Sequence, residues 1–266
     1  MELGHACREA GIGVVAAGEH TGPPRLHRAL PALSTRLVLS LGAPVEIRYD
    51  GHTSSMQAVV AGLMRPGKAT PSLVLRPHQP TVYVELSPLA MHRLTGVPLG
   101  EVDAGGVGAD TLLPWLRRLS EELAGRTAGQ RERLMRVRLL ERLERPDRRA
   151  VSRDALEPLK IIGAGAGRVP VDDLARRAHL SPRHLRHVMR TALGIGPKLA
   201  SRVARLSAAV DRAAEGAGSW AQVAAESGYH DQSHLVRDFR DLMHTTPSAW
   251  LAEEGRNLQG WRRPSP

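Results

Sequence analysis

Arginine and histidine side chains recur in two stretches of the sequence, residues 180–190 and 230–240, and the second stretch also contains Gln232. Arginine can pair with O6 and N7 of guanine, and glutamine can pair with N6 and N7 of adenine. The chemistry that these residue types suit is therefore hydrogen bonding to the edges of nucleic-acid bases, provided that an element of the fold presents them on one face.

The two stretches repeat one arrangement of polar and apolar residues. They align at an offset of 50, which pairs Ser181 with Asp231 and Leu185 with Leu235. Serine and aspartate are favoured helix N-caps, and each leucine is followed four residues later by another large apolar residue. Each stretch therefore predicts a capped helix that buries one face and leaves the other face to solvent.

The solvent faces of these two predicted helices carry the side chains that suit hydrogen bonding to bases. They present Arg183, Arg186, His187 and Arg190 in the first copy, and Gln232, Ser233, Val236, Arg237 and Arg240 in the second. A helix with such a face fits the major groove of B-DNA.

The segments before these helices also repeat, at an offset of 49. Leu174-Ala175 aligns with Val223-Ala224, so a small residue recurs where two helices would cross closely. The turn between the helices contains Gly228 in the second copy and His179 in the first. Helix, tight turn and capped helix together predict a helix-turn-helix motif in each copy, with recognition helices at 181–193 and 231–243.

A third helix is predicted between the two motifs, from Pro197 to Glu215. Its length is roughly 28 Å at ~1.5 Å per residue. Successive major-groove faces on one side of a duplex are ~34 Å apart. A rigid linker helix of this length could therefore hold both recognition helices over adjacent segments of the groove.

These residues make the C-terminal part similar to the AraC/XylS family of bacterial transcription regulators, over about residues 169–251. The matching motifs are Leu180–Leu185, Gly194–Lys198, Gly228–Arg240 and Thr246–Trp250. The resemblance implies seven helices, two helix-turn-helix motifs and a linker helix. It also implies that exposed residues at the start of each recognition helix contact bases.

Carried over by position, the resemblance assigns six base contacts and places Arg190 and Arg240 at phosphates, and Lys198 and Arg202 are expected to contact phosphates as well. The expected base contacts are Arg183, Arg186, His187, Gln232, Ser233 and Arg237. The expected phosphate contacts are Arg190, Arg240, Lys198 and Arg202.

The charge of the chain is distributed unevenly. The formal net charge is +10, but residues 1–110 contain nine basic and nine acidic side chains. Residues 174–210 contain eight basic side chains and no acidic one, whereas residues 219–246 contain two arginines and four acids. Because phosphate attraction dominates affinity for DNA, we expect the first motif to supply most of the binding energy and the second to add discrimination.

The N-terminal part follows a different pattern. Residues 1–30 are rich in glycine and proline and predict irregular structure. Short apolar runs separated by turn residues then predict strands at 37–41, 45–49, 57–60, 73–75 and 82–86. The expected fold class is α+β, with a small β-rich N-terminal sensor domain, an amphipathic helical connector and an all-α C-terminal domain.

The expected boundaries are 1–110 for the sensor domain, 111–150 for the connector, 151–255 for the double helix-turn-helix domain and 256–266 for a tail. Within the connector, leucines from Leu112 to Leu123 and from Leu134 to Leu143 recur every three or four residues, which predicts two amphipathic helices. These helices could cover the sheet of the sensor domain, or they could pair with a second subunit.

The sequence shows no motif for a disulfide, a membrane span or a secretory signal, and its N-terminal part shows none for a metal site. Cys7 stands alone, so an internal disulfide is excluded, and none of the six histidines in the N-terminal part forms a short metal-ligand pair such as His-x-His or His-x3-His. No apolar run has the ~20 residues of a transmembrane helix, and no secretory signal is evident at the N-terminus. We therefore expect no catalytic residue, no metal and no cofactor, and a cytoplasmic location.

The sequence thus predicts a sequence-specific transcription regulator, with activation as the commoner role in the family. Its expected partners are double-stranded promoter DNA, RNA polymerase, a small-molecule effector and a second copy of the chain, but no membrane. Two alternatives stay open. One is a DNA-repair or metabolic enzyme in residues 1–150 that the C-terminal domain tethers to DNA, with Cys7 as its best nucleophile. The other is a constitutive architectural binder without a ligand.

Overall fold

The computed structural model of the protein describes residues 2–30, 32–63, 70–144, 153–215 and 219–254. These residues form two compact units. The N-terminal unit comprises the described residues of 1–26, 34–63 and 71–144, and the C-terminal unit comprises those of 27–33, 70 and 153–254. Two short segments from the N-terminal part of the sequence, the described residues of 27–33 and residue 70, therefore belong to the C-terminal unit.

Two antiparallel sheets make up most of the N-terminal unit. The strands are β1 (Ile12–Glu19), β2 (Arg25–Arg28), β3 (Thr35–Ser40), β4 (Val45–Tyr49), β5 (His52–Met56), β6 (Ala58–Ala61), β7 (Ser72–Leu75), β8 (Pro80–Leu86) and β9 (Val107–Gly108). The first sheet has the order β1-β8-β3-β6-β9 and the second β2-β7-β4-β5. Val38, Val45, Ile47 and Val59 form a buried apolar cluster that joins the two sheets.

Helices pack against the first sheet. They are α1 (Glu2–Glu9), α2 (Pro88–Thr95), α3 (Ala109–Leu112), α4 (Trp115–Leu123) and α5 (Ala128–Leu143). Helix α5 packs against β1, α1, α2 and α4. Because β1 is an edge strand, its outer backbone groups need partners: Ala17 N donates to the Glu132 carboxylate (3.1 Å), and Arg136 donates to Val15 O (3.1 Å). The connector helices thus cover the sheet, which is one of the two expected roles.

The N-terminal segment differs from the sequence-based prediction. Composition predicts irregular structure for residues 1–30, but they contain α1, β1 and β2. Strand β5 is not predicted either, because His52–Met56 is polar and largely exposed and has no apolar alternation. The leucine repeat that begins at Leu112 predicts one helix, but Pro114 divides it into α3 and α4.

The C-terminal unit consists of helices, as the sequence predicts. They are α6 (Arg153–Ala164), α7 (Val171–Arg177), α8 (Pro182–Leu193), α9 (Pro197–Ala214), α10 (Trp220–Glu226), α11 (Gln232–Met243) and α12 (Pro247–Glu254). Helix α9 contacts α6, α8, α10 and α11, so it holds the two halves of the unit together. The fold class and the double helix-turn-helix arrangement are confirmed.

A short piece of the N-terminal sequence packs on this helical unit. Arg28 donates to Met243 O at the end of α11 (3.3 Å) and to the Glu253 carboxylate of α12 (3.2 Å). Leu30 and Leu33 pack against the apolar core around α9, α11 and α12. These three residues are therefore part of the scaffold that supports α11.

Candidate nucleic-acid interface

The turns of the two motifs have the same hydrogen bonds. Leu180 N donates to Ala175 O in the first motif, and Tyr229 N donates to Ala224 O in the second, each at 2.9 Å. The residue before each of these donors has a left-handed backbone conformation. His179 and Gly228 both have positive φ, +56° and +77°.

Glycine is favoured at the second of these turns. A Cβ at Gly228 would approach a side-chain carbon of Arg168 to 2.7 Å. Both the backbone conformation and the available space therefore suit a residue without a side chain.

The two recognition helices, α8 and α11, begin with the same kind of cap. Ser181 Oγ accepts from His184 N (3.2 Å), and Asp231 Oδ1 accepts from His234 N (2.7 Å). The hydrogen bond with His230 is the largest cause that lowers the pKa of the Asp231 carboxyl. The hydrogen bond from His234 N lowers that pKa further.

The same region explains the two offsets of the repeat. Ser181 directly follows Leu180, whereas His230 separates Asp231 from Tyr229. His230 is thus the residue that changes the offset from 49 to 50.

The outer faces of α8 and α11 carry the side chains that the sequence predicts. Leu185, Val188, Met189 and Leu193 of α8 are buried, as are Leu235, Asp238, Phe239, Leu242 and Met243 of α11. The exposed set contains Arg183, Arg186, His187 and Arg190 on α8 and Gln232, Ser233, Arg237 and Arg240 on α11. Five residues of α11, namely Gln232, Ser233, Val236, Arg237 and Arg240, line a shallow surface depression.

The cations of the C-terminal unit fall into two groups according to their partners. Within the described residues, six cations of the predicted interface form no ion pair: Arg183, Arg186, Arg190, Lys198, Arg237 and Arg240. Other arginines are paired: Arg176 with Asp173, and Arg212 with Glu215 and Glu226. Only the unpaired cations keep their full charge for an external anion.

Arg202 belongs to the paired group, although it is one of the expected phosphate contacts. Its guanidinium lies 2.7 Å from Asp238 Oδ1 and 2.8 Å from Asp241 Oδ2 on α11. Its side chain is 27% exposed. These contacts could not be found from the sequence, because the partners lie 36 and 39 residues away.

Arg205 of α9 and Tyr229 of the second turn lie inside the unit. Arg205 donates to Gly167 O (3.0 Å), and its guanidinium lies 5.5 Å from the centre of the Tyr229 ring. Burial, reinforced by the nearby Asp238 carboxylate, raises the pKa of the Tyr229 phenol. Arg205 is therefore a structural arginine, although it stands in the acid-free basic segment.

The remaining candidate chemical groups are the single cysteine and possible metal ligands. Cys7 is buried on α1, and burial raises the pKa of its thiol against the opposing effect of Arg136 and Arg8. No group of three or more His, Cys, Asp or Glu residues in the described ranges could hold a metal ion. Within the same residues, none of the helices combines the length and apolar character needed to cross a bilayer.

Comparisons with known proteins fit this geometry. Residues 174–253 match a family model described as a helix-turn-helix domain. A structure of ToxT from Vibrio cholerae is similar, with a TM-score of 0.52 and 11% identity over 91% of this chain and 98% of that one. A structure of wild-type ToxT from Vibrio cholerae with bound unsaturated fatty acid has a TM-score of 0.51 and 11% identity, over 90% and 94%. No curated protein matches the chain in sequence.

Two congruent helix-turn-helix motifs with unpaired cations on their outer faces define a DNA-binding protein. The C-terminal unit is a helix-turn-helix domain of the AraC type, and the chain is a DNA-binding transcription regulator. At 11–12% identity, the likeness to ToxT concerns the fold alone.

Proposed function

We propose that the protein reads two adjacent major-groove segments of a promoter with α8 and α11 and activates transcription. The proposal rests on one observation: the two recognition helices have congruent turns, caps and buried faces, and both expose unpaired cations. Helix α9 has 18 residues, about 27 Å at ~1.5 Å per residue, which suits a spacer between adjacent groove segments. The protein would act in the cytoplasm, where promoter DNA is accessible.

The proposed base contacts are Arg183, Arg186 and His187 from α8 and Gln232, Ser233 and Arg237 from α11. All six side chains are exposed. Arg190, Arg240 and Lys198 are proposed to contact phosphates, because they are exposed and have no carboxylate partner among the described residues. Arg202 leaves this set because two carboxylates already bind its guanidinium.

Selection of genomic fragments by the purified protein tests the proposal. We expect enrichment of DNA with two recognisable segments roughly one helical turn apart, about 10–10.5 base pairs. A variant with Arg186→Ala and Arg237→Ala is the control, and it should enrich the same fragments weakly or not at all. If the wild-type protein enriched no fragment over random DNA, the proposed function would be wrong.

Control by a small molecule is a second part of the proposal. It is supported by the fold shared with ToxT, for which a structure with an unsaturated fatty acid is known. A ligand that binds only the folded protein raises its thermal stability, so unsaturated fatty acids and a wider metabolite set should be tested by thermal shift. A saturated chain of equal length is the matched control. If none of these compounds shifted the melting temperature, the constitutive, unliganded binder would be favoured.

The remaining parts of the proposal concern partners and catalysis. We propose that the protein acts by binding rather than by catalysis, since its single thiol is buried with a raised pKa. Contact with RNA polymerase would follow from an activator role. A homodimer would follow if the selected DNA contained two complete copies of the recognised site, and sedimentation of the purified protein would measure it.

A further inference from the structure

The buried face of α11 contains a carboxylate where α8 has an apolar residue. Asp238 aligns with Val188 at the repeat offset of 50, and both side chains are buried. The Asp238 side chain is 4% exposed. A buried carboxylate is costly unless it is paired and hydrogen-bonded, so this position depends on a cation from a neighbouring element.

Arg202 of α9 supplies that cation and binds α11 at two points. Its Nε donates to Asp238 Oδ1 at 2.9 Å, and a terminal nitrogen reaches Asp241 Oδ2, almost one turn further along α11, at 2.8 Å. The planar guanidinium fixes the direction of these bonds as well as their length. Apolar packing between α9 and α11 lacks this directionality.

We propose that Arg202 is a positioning residue that fixes the orientation of α11 on the linker helix, and thereby the spacing at which the two DNA segments are read. The inference rests on the proposed function. Helix α9 contacts α8 as well as α11, so an orientation fixed on α9 is fixed relative to the first recognition helix. Arg202 therefore serves specificity without contacting DNA.

The same contacts explain how the second motif approaches a polyanion despite its acidic residues. Arg202 offsets one of the two negative charges of Asp238 and Asp241, and Arg212 is shared between Glu226 and Glu215. Both arginines come from the linker helix. The two carboxylates of α11 that contact α9 therefore repel a phosphate less than they would without Arg202.

The test measures DNA affinity against salt concentration for four variants, on a selected fragment and on the same fragment with one base pair inserted between the segments. Arg202→Met should lose about tenfold or more on the native spacing, because it leaves Asp238 buried and unpaired. Its salt slope should equal that of the wild type, because no phosphate contact is lost. Arg190→Met should instead reduce the slope by about 1.

The double variant Arg202→Met/Asp238→Val gives position 238 a valine, which is the residue that the first motif has at the equivalent position, Val188. It should recover most of the affinity on the native spacing, because no unpaired charge remains buried. Since the directional bonds are missing, it should discriminate less than about threefold between the native and the lengthened spacing, whereas the wild type should discriminate about tenfold or more. Arg212→Met, on the same helix but paired with α10, should keep wild-type discrimination.

Three results would overturn the positioning role: no loss in Arg202→Met, a reduced salt slope in that variant, or wild-type spacing discrimination in the double variant. If circular dichroism showed that Arg202→Met does not fold, Asp241→Asn would replace it, since Asp241 is 61% exposed and its loss leaves no buried charge. An Asp241→Asn protein with wild-type discrimination would overturn the role as well. Failure of the wild-type protein to bind any fragment would instead overturn the proposed function.

Discussion

At the scale of single residues, the partner of an arginine decides whether it can bind DNA. Arg190 and Arg202 are the same residue type in the same acid-free segment, and the sequence predicts a phosphate contact for both. The structure leaves Arg190 exposed and unpaired but binds Arg202 to two carboxylates of α11. An ion pair between residues far apart in the sequence leaves no local pattern. The sequence therefore shows the basic segment, but it does not show which of its arginines are paired with carboxylates.

The first prediction compares one arginine from each recognition helix, each of which is proposed to contact a base. Arg186→Ala should weaken binding more than Arg237→Ala, because four of the six unpaired cations lie on α8 or at the start of α9 and only two on α11. Each loss should be about 1–3 kcal/mol on the selected site, with relaxed discrimination at the contacted base pair. Affinity titrations at several salt concentrations measure this. Equal losses from both variants at every salt concentration would contradict the unequal division of binding energy.

The second prediction concerns Cys7, the candidate nucleophile of the enzymatic alternative. Burial raises the pKa of its thiol, so less thiolate is present at any given pH than in an exposed cysteine. We expect no labelling by iodoacetamide in the native protein at pH 8 and full labelling after denaturation. The control is Thr191→Cys, which adds a thiol at an exposed position of α8 and should label once in the native protein. Rapid native labelling of Cys7 would reopen the alternative.

At the scale of helices and strands, periodicity and caps predicted most of the C-terminal unit, and composition failed in the first 30 residues. Ser181 and Asp231 are visible in the sequence as caps, and the structure gives both the expected hydrogen bond. Strand β1 contains four glycines or alanines, all exposed or half-exposed, and has a bulge between Ile12 and Val15. Its pairing with β8 and its coverage by α5 are tertiary contacts, so local composition does not show them.

The third prediction uses the two caps as a matched pair. Ser181→Ala should lower the free energy of unfolding by about 1 kcal/mol, and Asp231→Ala should lower it as well at pH 7. Only the second loss should depend on pH. The pKa of Asp231 is lowered in the folded state, so its contribution is complete above the unfolded pKa of about 3.9 and disappears as the pH falls through the folded value.

Urea unfolding between pH 3 and pH 7 measures these losses. Asp231→Ser, which gives the second motif the cap of the first, should behave like the wild type at pH 7 but lack the acid-dependent part. If the loss of unfolding free energy depended on pH equally in Ser181→Ala and Asp231→Ala, carboxylates other than Asp231 would be its cause.

At the scale of the whole molecule, the net charge of +10 overstates the charge that faces DNA. The first 110 residues are neutral by sequence, and within the described residues the linker arginines Arg202 and Arg212 form ion pairs with acids of the second motif. Six unpaired cations remain on the described part of the proposed interface. The proposed reading surface is therefore limited in extent, and the chain as a whole is not evenly basic.

The fourth prediction follows from these six cations. If all of them contacted phosphates, the logarithm of the affinity would fall against the logarithm of salt concentration with a slope of about −5, at ~0.9 per contact. Because some of the six are assigned to bases, the measured magnitude should be about 5 or less. Arg240→Ala should reduce it by about 1, whereas Arg133→Ala, the same charge change at an exposed position of α5, should leave it unchanged. A slope much steeper than about −5, or one that Arg133→Ala reduces, would mean that the N-terminal unit also binds the phosphate backbone.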